Sequence, residues 1–110
     1  MQQETIAEHL KHYHFGERNA VTSRELELAF AIRGKELRNL VNTLRCSGIP
    51  IASNGNGYFY AATEQEVRST IAHMTHRIGS IAAAIRGLTQ ALEQFDTAQL
   101  RLPLEGGSGG

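Results

Sequence analysis

The segment RGKELRNLVNTLRCSG, residues 33–48, decides the fold. Leu37, Leu40, Val41 and Leu44 recur at the three-and-four spacing that lines up apolar side chains on one stripe of a helix. Lys35, Arg38, Asn39 and Asn42 fall on the opposite side. One face therefore needs a core, and the other carries cationic donors and carboxamides. Those are the groups that bond phosphate oxygens and reach base edges in a DNA major groove. Gly48 supplies the residue type that commonly follows the last turn of a helix.

Upstream, Thr22-Ser23-Arg24-Glu25 has the capping-box pattern, so a helix is expected from Ser23, with Leu26, Ala29 and Phe30 inward and Leu28 off the stripe. Only Ala31-Ile32-Arg33 separates it from the next helix, and the pair reads as a helix-turn-helix. An earlier helix is expected over about residues 3–14, with Ile6, Leu10 and Tyr13 on one face and Phe15-Gly16 closing it. It carries His9, His12 and His14. Their spacing matches no zinc pattern and no cysteine joins them, so they read as solvated helix-end side chains. Downstream, Ile49 to Ser53 and Tyr58 to Ala61 flank Asn54-Gly55-Asn56-Gly57, a β-hairpin signal. Pro50 cannot donate to a ladder and is expected at an edge.

Two helices followed by a hairpin, with Leu44-Arg45, Gly48-Ile49-Pro50-Ile51 and Gly57-Tyr58 at their junctions, resemble the winged-helix DNA-binding domain of the biotin-operon-repressor type. Such domains also occur in small phage and bacterial regulators. The resemblance covers Thr22 to Ala61, or about sixty residues with the first helix included. It implies that Lys35, Arg38, Asn39 and Asn42 occupy recognition-helix positions and that Asn54 to Asn56 form the wing tip. Arg33 joins the reading surface, and Arg45, Asn54 and Asn56 are expected at phosphates. The chain departs from the pattern at the turn, where Ala31 stands for glycine, and at the recognition-helix cap, where Arg33 replaces Ser or Thr. Gly34, a poor helix former, follows. The departures move weight from the start of that helix toward Arg38, Asn39 and Asn42.

Thr63-Glu64-Gln65-Glu66 is a second capping box and opens another helix. Val67, Ile71, Met74, Ile78, Ile81, Ile85, Leu88, Leu92 and Phe95 then alternate steps of four and three, a heptad repeat. From Glu64 to Phe95 such a helix is roughly 48 Å long, more than its own domain can cover. Leaving its isoleucines and leucines in water would forgo about 1.5 to 3 kcal/mol each, so the stripe is expected to bury against other copies of the chain. The positions beside it include Thr75, Ala82, Ala84, Thr89 and Ala91, small residues where dimeric coiled coils often carry charge. Parallel and antiparallel pairs and a tetramer all remain open. Gly79 and Gly87 weaken isolated helicity, and His73 and His76 lie off the seam.

The expected fold class is thus mainly α with a small β-hairpin (α+β), a winged helix-turn-helix followed by a long coiled-coil helix. Residues 1–62 form the first domain, 63–96 the oligomerisation helix, and 97–110 a tail ending in the linker-like LEGGSGG, of cloning character. The 110 residues carry equal numbers of acidic and basic side chains, which argues against a strongly basic nucleic-acid protein. The charge is local: Arg33, Lys35, Arg38 and Arg45 stand against Glu36. The single cysteine, Cys46, excludes an internal disulfide and is expected to pack as a small hydrophobe in a reducing compartment. No apolar run has membrane-span length and no secretory pattern opens the chain, so a cytoplasmic protein without membrane contact is expected.

No phosphate-cradling loop, nucleophile with its base, or paired carboxylates is evident, so neither catalysis nor a cofactor or metal is expected. The expected partners are double-stranded DNA and the chain itself, as homodimer or homotetramer, in a sequence-specific phage or bacterial transcriptional regulator. The alternative is a winged-helix assembly factor, such as a phage replication or scaffold component, that does not read DNA sequence.

Overall fold

A computed structural model describes residues Glu4 to Arg101, with side chains described through Phe95. Its elements follow in the order α1 (Ile6–Tyr13), a short 3₁₀ turn (Glu17–Asn19), α2 (Ser23–Phe30), α3 (Gly34–Cys46), β1 (Ile51–Asn54), β2 (Gly57–Tyr60) and α4 (Glu64–Arg101). The protein is mainly helical with one antiparallel hairpin and a long C-terminal helix, the expected α+β class. The tail from residue 102 lies outside the described residues.

Local chemistry places most helix ends. α1 starts two or three residues later than the apolar spacing suggests, because Thr5 is its cap. The Glu8 amide donates to Thr5 Oγ1 and the Thr5 amide to Glu8 Oε1, both at 3.1 Å. At α2 the Glu25 amide donates to Thr22 Oγ1, and the Glu25 carboxylate accepts from that hydroxyl rather than from the Thr22 amide. α3 has no side-chain acceptor at its cap, since an arginine has none. Instead the Glu36 carboxylate accepts from the Arg33 amide at 3.1 Å, which fixes the start of α3 at Gly34. Its other end is a Schellman motif: Gly48 (φ 90°) donates to the Arg45 carbonyl and Ile49 to the Leu44 carbonyl.

The core of the first unit joins Ile6 and Leu10 of α1, Val21, Leu26 of α2, Leu37 and Val41 of α3, and Ile51 of β1. Three residues expected inward lie outside it: Tyr13, Ala29 and Leu40 are exposed. The buried stripe of each helix is narrower than its sequence pattern. β1 and β2 pair Ile51 with Tyr60 and Ala52 with Phe59, so alternate side chains point to opposite faces. One face joins the three-helix core. The other, with Ala52, Phe59 and Ala61, is covered by Val67 of α4. An isolated two-stranded hairpin is marginal in water, and burial of both faces is what makes this one stable.

The free edge of β2 is also satisfied. Gly16 and Val21 donate to the carbonyls of Tyr60 and Tyr58, and the Tyr60 and Tyr58 amides donate back to His14 and Val21, all at 2.8 Å. The turn itself is Gly55-Asn56, one residue later than the Asn-Gly pair suggests, with Asn54 and Gly57 paired across it. Gly57 takes φ 130°, and a Cβ there would overlap the Val21 carbonyl, so the close pairing at this edge demands glycine. Pro50 precedes β1 and contributes only its carbonyl, which accepts from the Ala61 amide at 2.9 Å.

The chain divides into two compact units, the first ending at His73 and the second starting at Met74. The first unit reaches past the boundary expected at residue 62 because the first turns of α4 belong to it. Thr70 is buried, accepts from the Ser53 amide at 3.2 Å and donates to the Glu66 carbonyl at 3.1 Å. Val67, assigned from the heptad pattern to self-association, is half-buried against the hairpin. In the second unit Ile78, Ile81, Ile85, Leu88, Leu92 and Phe95 are all exposed, between 53 and 71%. Among the described residues no helix is long and apolar enough to cross a membrane.

Candidate nucleic-acid interface

Leu37 and Val41 anchor α3 in the core and thereby set which side chains it presents. Lys35, Arg38, Asn39 and Asn42 are all exposed, one turn apart or adjacent on the outward face. Among the described residues none of the four makes a hydrogen bond or ion pair within the chain. Arg33 is exposed at the helix start, so it extends the same cationic surface. The only acid nearby on α3, Glu36, is engaged at the Arg33 amide. Leu40, 40% exposed, adds an apolar element between the two asparagines.

Beside the start of α3 lies an open depression of about 490 Å³ lined by Arg24, Glu27, Leu28, Ala31, Ile32, Arg33 and Gly34. The Glu27 carboxylate accepts from the Ser23 hydroxyl at 2.9 Å and lies next to Gly34. Ala31, where the resembled pattern has glycine, takes the left-handed conformation with φ 53°.

Arg45 does not join the outward face. It is half-buried; its Nε donates to the Ile51 carbonyl at 2.7 Å and its Nη2 to Ser53 Oγ at 3.2 Å. The expectation of a phosphate contact gives way to a brace between the last turn of α3 and β1. The hairpin asparagines Asn54 and Asn56 are both exposed, yet they differ. Asn54 Oδ1 accepts from the Asn56 amide at 2.8 Å and so shapes the turn, while the Asn56 side chain faces solvent.

Two residues that brace the first unit have no signal in the pattern of residues 33–48. Thr70 ties α4 to β1. Glu66 reaches further than its own cap: its carboxylate accepts from the amides of Ala62 at 2.6 Å, Thr63 at 3.3 Å and Glu17 at 3.1 Å. The Ala62 amide foremost, with Glu17 and Thr63, holds this carboxyl below its ordinary range despite opposing desolvation. The Thr5 amide and hydroxyl do the same for Glu8.

The histidines of α1 are not simply solvated. His9 Nδ1 lies 2.8 Å from Glu4 Oε2, and its ring meets Phe30 edge-on at 5.2 Å. His14 Nδ1 contacts the Asn19 carbonyl at 2.8 Å, and only His12 is exposed. Cys46 is exposed rather than packed, because it follows the stripe at the end of α3 without lying on it. Comparison with protein-family models, with curated proteins and with solved structures finds no match.

Proposed function

We propose that this chain is a sequence-specific double-stranded DNA-binding protein, a winged-helix transcriptional regulator of phage or bacterial type that acts as a homo-oligomer. The observation that carries it is the outward face of α3: Lys35, Arg38, Asn39 and Asn42, exposed and without intrachain partners on a helix whose other face is locked into the core. Lys35 and Arg38 suit guanine edges or phosphates, and Asn39 and Asn42 suit adenine edges or the backbone. Arg33 and the Asn54 to Asn56 turn flank that face and suit phosphates. The apolar stripe of α4 from Ile71 to Phe95 is the self-association surface, without Val67, which its own domain uses.

Retention on random duplex DNA at low and moderate salt tests the reading. Binding that weakens with salt is expected, since phosphate contacts release counterions. Arg38→Ala should lower affinity without changing the oligomer. No retention at low salt would refute DNA binding and favour the second reading, a winged-helix assembly factor. That reading draws on the zero net charge and on Leu28, 70% exposed beside the α2–α3 depression.

A further inference from the structure

We propose that α4 pairs with α4 of a second copy in antiparallel orientation, in a single register centred on Ala83. This rests on the reading above that the stripe is covered by another copy, and adds its direction and register. Ile78, Ile81, Ile85, Leu88 and Leu92 are exposed on one stripe and, together with Met74, form three pairs of positions equidistant from Ala83. Antiparallel pairing about that point packs Met74 on Leu92, Ile78 on Leu88 and Ile81 on Ile85 of the second copy, and the same layers repeat on the other side.

A heptad seam always maps onto itself when reversed, so the seam alone does not choose the direction. The residues around it do. Reversal about Ala83 also carries Ala82 onto Ala84, Gly79 onto Gly87 and Thr75 onto Ala91. On the flanks, Ala82 then faces Ala82 and Ala84 faces Ala84 of the second copy, so both sides of the central layers are lined by methyl groups and permit close approach.

Charge does not choose between the two: Arg77, on the Ala84 flank, meets Ala82 in a parallel pair and the alanines Ala84 and Ala91 in the antiparallel one, and Arg86 and Glu93 lie outside the flanks. Seam composition favours reversal, because Ile81 sits at a position where parallel dimers favour leucine, and reversal removes that like-with-like layer. The two helix dipoles also oppose one another. The exposed stripe would bury on the order of 1,000 Å² in total over two copies, near the lower limit for a specific interface.

Ser69 and Gln90 occupy equivalent outward positions of the repeat and are exposed, so labels there leave the seam untouched. In a Cys46→Ser background, S69C and Q90C variants are spin-labelled separately and their inter-copy distances measured, after sedimentation has given the mass. Antiparallel pairing about Ala83 predicts axial offsets of about 42 Å for the first and about 21 Å for the second, from the helical rise, with the width of the helix pair lengthening both label distances. Two short, equal distances would show parallel pairing and overturn the proposal. A first distance lengthened as the second shortens, or the reverse, would overturn the register. A tetramer that keeps both distances upholds the pairing. A monomer by sedimentation would instead remove the self-association reading beneath it, leaving DNA binding to be judged by its own assay.

Discussion

Replacing Arg45 separates a brace from a phosphate contact. In the structure its guanidinium spends Nε on the Ile51 carbonyl at 2.7 Å and Nη2 on Ser53 Oγ at 3.2 Å, tying the end of α3 to β1. Hydrogen bonds to charged groups contribute about 1.5–3 kcal/mol each when well formed. The second is long and the site half-buried, so Arg45→Ala should cost about 2 kcal/mol rather than the full sum. For a domain of this size that lowers the melting temperature by roughly 8–16 °C. Thermal unfolding by circular dichroism, without DNA, measures it. The companion assay is the salt dependence of DNA affinity: each phosphate contact contributes about 0.9 to the log–log slope, so a brace leaves that slope unchanged. Arg45→Lys sharpens the distinction, because lysine keeps the charge and loses the fork. It should fail to restore stability. An unchanged melting temperature in Arg45→Ala, or a slope reduced by about one unit and restored by lysine, would refute the assignment.

Other positions give independent outcomes. Gly57→Ala meets the Val21 carbonyl at φ 130° and should cost about 3 kcal/mol or more, read as a lower urea midpoint; a neutral result would contradict the close β2–Val21 pairing. Ala31→Gly relieves a left-handed alanine at φ 53° against a larger unfolded-state entropy, and should raise stability by about 0.5–1 kcal/mol in the same assay. The Glu66 carboxyl is held below its ordinary range by the Ala62, Glu17 and Thr63 amides, so its contribution is present above the unfolded value of about 4.3 and is lost as pH falls through the lower folded value. Glu66→Gln should therefore flatten the acid limb of the stability–pH curve below about pH 4.3, and an identical limb in both proteins would exclude that role.

The starts of α2 and α4 and the hairpin were legible because each rests on a local chemical device. Thr22 with Glu25, Thr63 with Glu66 and the Asn54–Gly57 turn carry their structural meaning within four residues. Thr5-Ile6-Ala7-Glu8 has the same pattern and marks the true start of α1, a signal the apolar spacing alone obscures. The pairing of His14, Gly16 and Val21 with β2 had no such signature, since single-residue bridges leave no alternation to detect. Periodicity also cannot identify the partner of a stripe. Val67 and Ile71 fit one heptad repeat equally, yet Val67 packs against Ala52, Phe59 and Ala61 of its own chain while Ile71 is 56% exposed. On α3, the outward set Lys35, Arg38, Asn39 and Asn42 followed from the helix period. Arg45 did not, because a long cationic side chain near a helix end reaches either solvent or a neighbouring carbonyl, and only the position of β1 decides.

The proposed DNA contacts and the proposed self-association depend on each other through charge. With Arg45 committed to the hairpin, one copy offers three cations on the α3 surface, Arg33, Lys35 and Arg38, in a chain whose formal charge is zero. Even with all three at phosphates the salt slope would be only about −2.7, which describes weak binding for a single copy at moderate salt. Two linked copies double that slope and convert the second contact into an intramolecular step, with an effective concentration in the millimolar range for short connections. Affinity then comes from the linkage more than from either helix, and sequence preference remains with Arg38, Asn39 and Asn42. On that proposed reading, the neutral composition that argues against DNA binding by a lone domain suits a reader assembled from several copies: weak enough to release a single wrong half-site, and tight where two half-sites are engaged together.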